Sequence, residues 1–245
     1  MIQIINWDCL IEMKTIPDGS IDAIITDPPY WTTSCKWDSV IPFEPMWAEL
    51  KRIIKPNGAI VLFWSEPFSS ALRMSNIKQY KYDWKWKKEK GANIMQAKIC
   101  PLKNYEDIIV FSDGNICATS KNKVTYFPQG LVETSKKVKS IMNNNGVHGN
   151  RKTKEYDMKY TNYPNSIIEF NKGKLLHPTQ KPVALIEYLI KTYTNEWETV
   201  LDFTMWSWTT WVACKNTKRE FIWFEMDKWY YEIAKERINN HIPWQ

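Results

Sequence analysis

Two periods of apolar spacing alternate along this chain. Residues 20–30, SIDAIITDPPY, predict a short β-branched strand that must stop at Pro28 and Pro29, because proline cannot donate to a sheet ladder. Ahead of it, DCLIEMKTIPDGS has helical spacing at Leu10, Met13 and Ile16, then a Pro-Asp-Gly turn. PMWAELKRIIKPNG predicts an amphipathic helix with Trp47, Leu50, Ile53 and Ile54 on one face, ended by Pro56-Asn57-Gly58. AIVLFW predicts a buried strand, EPFSSALRMSNIKQY a helix, and YDWKWKK and YEDIIVFS two more strands. The pattern fades from Asp113 to about Asn171 and returns in HPTQKPVALIEYLIKTYT, a helix starting near Pro182. A strand at Val200–Phe203, a helix opening on Thr209 and Thr210, the strand EFIWFEMD and the helix YYEIAKERI complete it. Strands alternating with helices predict an α/β fold, a doubly wound sheet of about seven mostly parallel strands.

The 245 residues suffice for one sizeable domain with an insertion, and 44% hydrophobic with 24% charged residues is ordinary for a globular protein. Three parts are expected: 1–112, a polar and basic insertion at 113–171, and 172–245, the outer two forming one domain. No apolar run reaches membrane-spanning length, and the N-terminus lacks a secretion signal. The five scattered cysteines form no C-x-x-C pair, which predicts reduced thiols in a cytoplasmic protein and no metal site. Charge changes the picture more. Residues 81–181 carry 19 Lys and Arg against 9 Asp and Glu, whereas the remainder carries 14 against 18. A cationic middle on a mildly acidic frame suits a phosphate-tracking surface as well as it suits a solvated one.

The sharpest chemical signal is Asp27-Pro28-Pro29-Tyr30 at the end of a strand, the place where ligands bind in open α/β sheets. An exocyclic amine on adenine or cytosine is a poor nucleophile, because its lone pair is delocalised into the ring. The Asp27 carboxylate and the Pro28 carbonyl can each accept one of its N–H groups, pulling the nitrogen toward sp³ and stabilising the developing positive charge. Tyr30 offers a face on which an extruded base can stack.

With these residues the chain resembles the DNA amino-methyltransferases, which move a methyl group from S-adenosylmethionine to N6 of adenine or N4 of cytosine. Three motifs carry the resemblance in the order of the permuted β group: DPPY, then HPTQKP, then the strand–turn–helix VLDFTMWSWTTWVA. The resemblance implies a Rossmann-like methyltransferase sheet, with 113–171 as target-recognition region. It implies an amine-activating pocket from Asp27, Pro28, Pro29 and Tyr30. It places Asp202, Phe203, Trp206 and Trp208 at the cofactor turn, with Thr209 and Thr210 opening a helix whose amides face the methionine carboxylate. Glu225 would bind the ribose hydroxyls, Asp8 and Cys9 would touch the cofactor's adenine, and His177, Pro178, Thr179 and Lys181 would close the methionine side. The implied partners are double-stranded DNA and a cognate restriction nuclease, for a monomer or homodimer without metal. Asp at the head of DPPY leans toward adenine N6 in this family. Transfer to cytosine N4 is the alternative, and a catalytically dead DNA-binding remnant is the other.

That last alternative arises from the tryptophans. The chain has 14 of them and only 8 glycines, and nine tryptophans (7, 31, 64, 197, 206, 208, 211, 223 and 229) stand in turns or at element ends. Most of these stand where the resembling family carries glycine, and at 206 and 208 the backbone must approach the cofactor closely. Either the chain has lost cofactor binding, or one codon, UGA, means glycine in the source and is written here as tryptophan. Random decay replaces glycine with many residue types, whereas here one replacement recurs, which favours the codon. Restoring nine would also bring glycine from 8 to the roughly 7% usual. Trp37, Trp47, Trp84 and Trp86 occupy ordinary positions, and Lys218, at another site where that family often has glycine, is not covered by this idea.

Overall fold

A computed structural model describes residues 2–5, 8–29, 40–139, 155–171, 180–204, 209–228 and 231–232. The chain divides into two compact units, Met1–Phe127 with Ser166–Gln245, and Pro128–Asn165.

The larger unit begins with β1 (Ile2–Ile5), the short helix α1 (Cys9–Glu12) and β2 (Ile21–Thr26). Next come α2 (Phe43–Ile53), β3 (Ile54–Trp64), α3 (Phe68–Ser75), β4 (Tyr80–Ala92) and β5 (Lys103–Phe111). Beyond the smaller unit come β8 (Ile167–Glu169), α4 (Val183–Tyr193), β9 (Thr199–Asp202), α5 (Thr209–Asn216) and β10 (Glu220–Phe224). Eight described strands form one sheet in the order β1-β10-β9-β2-β3-β5-β4-β8. Every neighbouring pair is parallel except β3–β5 and β5–β4. This is the expected doubly wound sheet, with one short edge strand, β8, drawn from the stretch where no hydrophobic period was visible.

Alternation along the central strands builds a core on each face. Ala23, Ile25, Val61, Phe63, Ile108 and Val110 join the cores of α4 and α5. Ile24, Ile60, Leu62, Ile109 and Phe111 meet Met46, Trp47, Leu50 and Ile53 of α2 on the other face. Strands buried on both faces explain why AIVLFW reads as a continuous apolar run rather than an alternating one. α2 passes directly into β3 at Ile54, and Gly58 is held to glycine because a Cβ there would lie 2.7 Å from the Asp22 carbonyl oxygen. The helix expected through Tyr80 ends at Ser75. Asn76 leaves the helical region, and its side chain donates to Gln79 Oε1 at 2.7 Å, turning the chain into β4.

The smaller unit holds an antiparallel ribbon, β6 (Val132–Lys139) with β7 (Glu155–Thr161). Its residues are mostly exposed, so its strands carry little of the burial period by which the core strands were found. No described helix is long and apolar enough to cross a membrane. The helix expected at YYEIAKERI lies largely outside the described residues.

The tryptophans differ in their accommodation. Trp47 donates its indole N–H to Ser75 Oγ at 2.8 Å, Trp84 to Tyr193 Oη at 2.7 Å, and Trp86 to the Phe170 carbonyl at 3.0 Å. Trp211 and Trp223 are just as buried, but their indole nitrogens have no hydrogen-bond partner. Trp197 is 70% exposed and holds a left-handed φ of 69°. Lys218 also stands at positive φ, 58°, the conformation glycine adopts most cheaply.

Candidate active site

The chain winds outward in opposite directions from β2 and β9, which are neighbours in the sheet. β2 leads through α2 to β3 on one side, and β9 leads through α5 to β10 on the other. The crevice beyond the carboxyl ends of such strands is the topological switch point, where open α/β sheets bind ligands. Asp27-Pro28-Pro29 leaves β2 there, beside Asp202 at the end of β9. Tyr30 lies outside the described residues.

Asp27 is held between charges. Its Oδ2 accepts from Lys181 Nζ, while its Oδ1 is buried and accepts from no donor among the described residues. Lys181 Nζ also lies 3.4 Å from Glu106 Oε2 on β5 and 5.2 Å from the centre of the Phe63 ring. Glu106 is tied in turn to Lys88 of β4. Burial pushes the Asp27 carboxyl above its ordinary range, Lys181 pulls it back, and Glu106 adds to the rise. Burial works the same way on Glu106, but there Lys181 and Lys88 outweigh it and hold the carboxylate at about 2. The result is a carboxylate with one oxygen fixed by a lysine and the other open for an N–H donor.

Asp202 does structural work at the switch point. Its Oδ1 accepts from the Thr26 hydroxyl at 2.6 Å and the Thr204 N–H at 3.3 Å, and its Oδ2 from the Thr210 hydroxyl at 2.7 Å. One side chain thus joins β2, the turn after β9 and the start of α5. Burial raises it to about 6, against those hydrogen bonds. Thr209 donates its hydroxyl to the Lys181 carbonyl at 3.2 Å, linking α5 to the lysine that grips Asp27. Phe203 is buried in the core with Leu201 and Phe224.

A second cluster gathers at the ends of β1 and β10. Glu225 N–H donates to the Ile5 carbonyl at 3.1 Å, which brings the segment after β1 beside the end of β10. The Glu225 carboxyl is pushed up to about 8, chiefly by burial, and its Oε1 accepts the Asp227 N–H at 2.8 Å. Asp8 caps α1 by accepting the Leu10 N–H at 2.8 Å. Cys9 is half-buried against the core, and burial with the neighbouring Asp8 raises its thiol to about 12, so it is no nucleophile. Among the described residues, no three His, Cys, Asp or Glu gather into a metal-binding group.

The structure therefore brings together Asp27, Pro28, Pro29, Lys181, Asp202, Thr209 and Thr210, and separately sets Glu225 against Ile5 at the end of β1, the strand that precedes Asp8 and Cys9. His177, Pro178, Thr179, Trp206 and Trp208 lie outside the described residues. The Lys181 side chain reaches Asp27. Glu106 and Lys88 were not anticipated, because Glu106 meets Lys181 from far along the chain and Lys88 meets Glu106 across a strand pair, 18 positions away, which leaves no local sequence signal.

A family model described as DNA methylase matches residues 21–236. The chain belongs to this DNA methylase family. S-adenosylmethionine is the family's methyl donor, consistent with a crystal structure of an M1.HpyAVI–SAM complex that the methylase resembles. That complex is 26% identical with a TM-score of 0.62, covering 97% of this chain and all of the other. The methylase is 28% identical to the type II methyltransferase M.HpaI of Haemophilus parainfluenzae, over 94% of its own length and 72% of the relative's. It is 27% identical to the DNA adenine methyltransferase YhdJ of Escherichia coli K12, over 96% and 82%. PvuII DNA methyltransferase, cytosine-N4-specific, shares the fold at a TM-score of 0.68 with 15% identity, over 98% and 87%.

Proposed function

We propose that this methylase transfers a methyl group from S-adenosylmethionine to the exocyclic N6 of adenine in duplex DNA. The observation that carries the reading is the open, buried Oδ1 of Asp27 at the end of β2, beside an Oδ2 fixed by Lys181. In this reading Oδ1 accepts one N–H of the target amine and the Pro28 carbonyl accepts the other. Those bonds strengthen as positive charge grows on the nitrogen, so they favour the transition state over the bound base. Tyr30 stacks on the extruded base. Bound S-adenosylmethionine supplies an electrophilic methyl group on its sulfonium.

The donor set at the strand ends fits that cofactor. Glu225 presents a buried carboxyl to a ribose diol, and Asp8 and Cys9 lie at the neighbouring strand end for the adenine ring. Thr209 and Thr210 open α5 with both hydroxyls bound inward, and the start of this helix is the part that would face the methionine carboxylate. The resemblance assigns His177, Pro178 and Thr179 to the methionine side and residues 113–171 to reading the target sequence. Adenine is favoured by the Asp that heads the motif and by the name of the YhdJ relative.

The test is transfer of labelled methyl from S-adenosylmethionine to duplex DNA, followed by nucleoside analysis, using the chain with glycine at the nine suspect positions. N6-methyladenine is expected. N4-methylcytosine would replace the adenine reading with its alternative, and no transfer despite DNA binding would favour the inactive remnant.

A further inference from the structure

β4 and β5 leave the sheet at its catalytic edge. β5 runs antiparallel to β3 with Asp107 opposite Trp64, so residues 103–106 lie beyond the end of β3, on the side where Asp27 follows β2. Glu106, which reaches Lys181, and Lys88, which pairs with Glu106, mark the level of the candidate site on this ribbon. Beyond them the ribbon continues until Ala92 pairs with Lys103, and every residue from 89 to 101 is exposed.

The end of the hairpin is an ordered turn. Asn93 takes a left-handed φ of 62°, and its carbonyl accepts the Gln96 N–H at 2.8 Å. The Gln96 carbonyl accepts from Ile99 at 2.8 Å and from Cys100 at 3.0 Å. Upon this fixed turn stand Ile94, Met95 and Ile99, which are 72%, 93% and 84% exposed. Three large apolar side chains on one tip contribute nothing to the fold and mark an interaction surface.

Charge identifies the partner. Residues 87–105 hold five lysines, at 87, 88, 90, 98 and 103, against the single acid Glu89. A second copy of the chain would bring the same positive charge against itself, whereas duplex DNA brings phosphates and, between its bases, an apolar interior. From Lys88 to Ile94 the strand rise allows a reach of about 15–20 Å, against a major-groove depth of about 8.5 Å.

We propose that the β4–β5 hairpin is the duplex-opening wedge of this methylase, with Lys90 and Lys98 on phosphates and Met95, with Ile94 or Ile99, inserted into the base stack. The inference rests on the chain acting on a base extruded from DNA, and it gives the hairpin a role apart from the region at 113–171. An inserted apolar side chain fills the space the departing base leaves and offsets part of the unstacking cost.

Binding by the chain itself gives the first test, with no methyl transfer required. The chain is expected to bind a duplex with one mismatched pair several-fold more tightly than the matched duplex, and Met95→Glu to remove that preference. Lys90→Ala and Lys98→Ala are each expected to lower the slope of log affinity against log salt by about 1. In the glycine-restored chain, Met95→Glu and the double variant Ile94→Ala/Ile99→Ala are expected to slow methylation of a matched site at least tenfold. On a mismatch opposite the target base they recover to within about threefold, because unstacking there is already cheap. Unchanged mismatch preference in Met95→Glu, or equal loss of rate on both duplexes, would overturn the proposal. A change in sedimentation with DNA binding intact would assign the tip to self-association and overturn it as well. N4-methylcytosine as product would sink the adenine reading and leave the hairpin result standing.

Discussion

Within one core, four buried tryptophans from the two halves of the sheet treat their indole N–H groups differently. On the catalytic side Trp84 and Trp86 each place an indole N–H on an acceptor, and Lys85 and Arg73 surround the buried Asp107 at 2.5 and 3.5 Å. Asp27 Oδ1 is left open there, where the proposed function puts the substrate amine. On the cofactor side the open groups are Trp211 and Trp223, two buried N–H donors that face no acceptor and match no chemistry of a methyl donor. An unpartnered buried donor costs about 1–3 kcal/mol. An orphan group therefore signals function only where its chemistry suits a ligand. The orphan indoles, like the left-handed φ of Trp197, are what the codon account expects at positions built for glycine.

The largest effects belong to the catalytic side and break the comparison if they fail. In the glycine-restored chain, Asp27→Asn is expected to lower methyl transfer by about 10²–10³-fold, the usual cost of losing one electrostatic stabiliser. Lys181→Met should lower it as well, and should move the acid limb of the pH–rate profile upward. The sign follows from the charges: Lys181 pulls the Asp27 carboxyl down against the rise that burial and Glu106 cause, so its loss lets the carboxyl protonate at higher pH. Lys181→Arg should restore the limb, and an unmoved limb in Lys181→Met would remove the lysine from this role.

Conservative truncation sharpens the contrast directly in the chain as lettered. Trp84→Phe removes the indole donor to Tyr193 Oη, leaving that hydroxyl its contact with Tyr82 Oη at 3.2 Å, and should cost about 1 kcal/mol in urea unfolding. Trp211→Phe and Trp223→Phe remove only orphan donors and should leave stability within about 0.5 kcal/mol or raise it. Equal losses at all three sites would erase the distinction.

Smaller effects follow at the cofactor strand ends. Glu225 has a folded-state carboxyl raised to about 8, so the folded form keeps a proton that the unfolded chain releases near its ordinary value of 4.5. Its contribution to stability is therefore lost as pH rises from about 4.5 through 8. Glu225→Gln should accordingly gain about 1–2 kcal/mol at pH 8.5 relative to pH 5. A pH-independent difference would contradict the burial that raises it. Trp197→Gly, which relieves positive φ at an exposed site, should stabilise by about 1 kcal/mol.

Much of this was legible in the sequence, for identifiable reasons. β2, β3 and β5 are buried on both faces, so their apolar runs stand out, and the prolines after Asp27 fix where β2 ends. Asp27 was legible as a candidate because DPP chemistry is local. Lys181, Glu106 and Lys88 were not assigned to it, because an ion-pair chain across three elements has no spacing in sequence. The exposed ribbon β6–β7 and the edge strand β8 bury too little to show a period. Asp202 was read as a cofactor flank, and its bonds to Thr26 and Thr210 appear only once β2 and β9 lie side by side. The tryptophans were legible as a pattern, and the structure adds which of them lack acceptors. A gene reading UGA at the nine suspect positions and UGG at 37, 47, 84 and 86 would complete that pattern, whereas UGG throughout would end the codon account.

The most direct measurement is isothermal titration of S-adenosylmethionine into two proteins, the chain as lettered and the same chain with glycine at the nine suspect positions. The restored chain is expected to bind at least about a hundredfold more tightly, a difference of roughly 2.7 kcal/mol. Equal affinities would contradict the account.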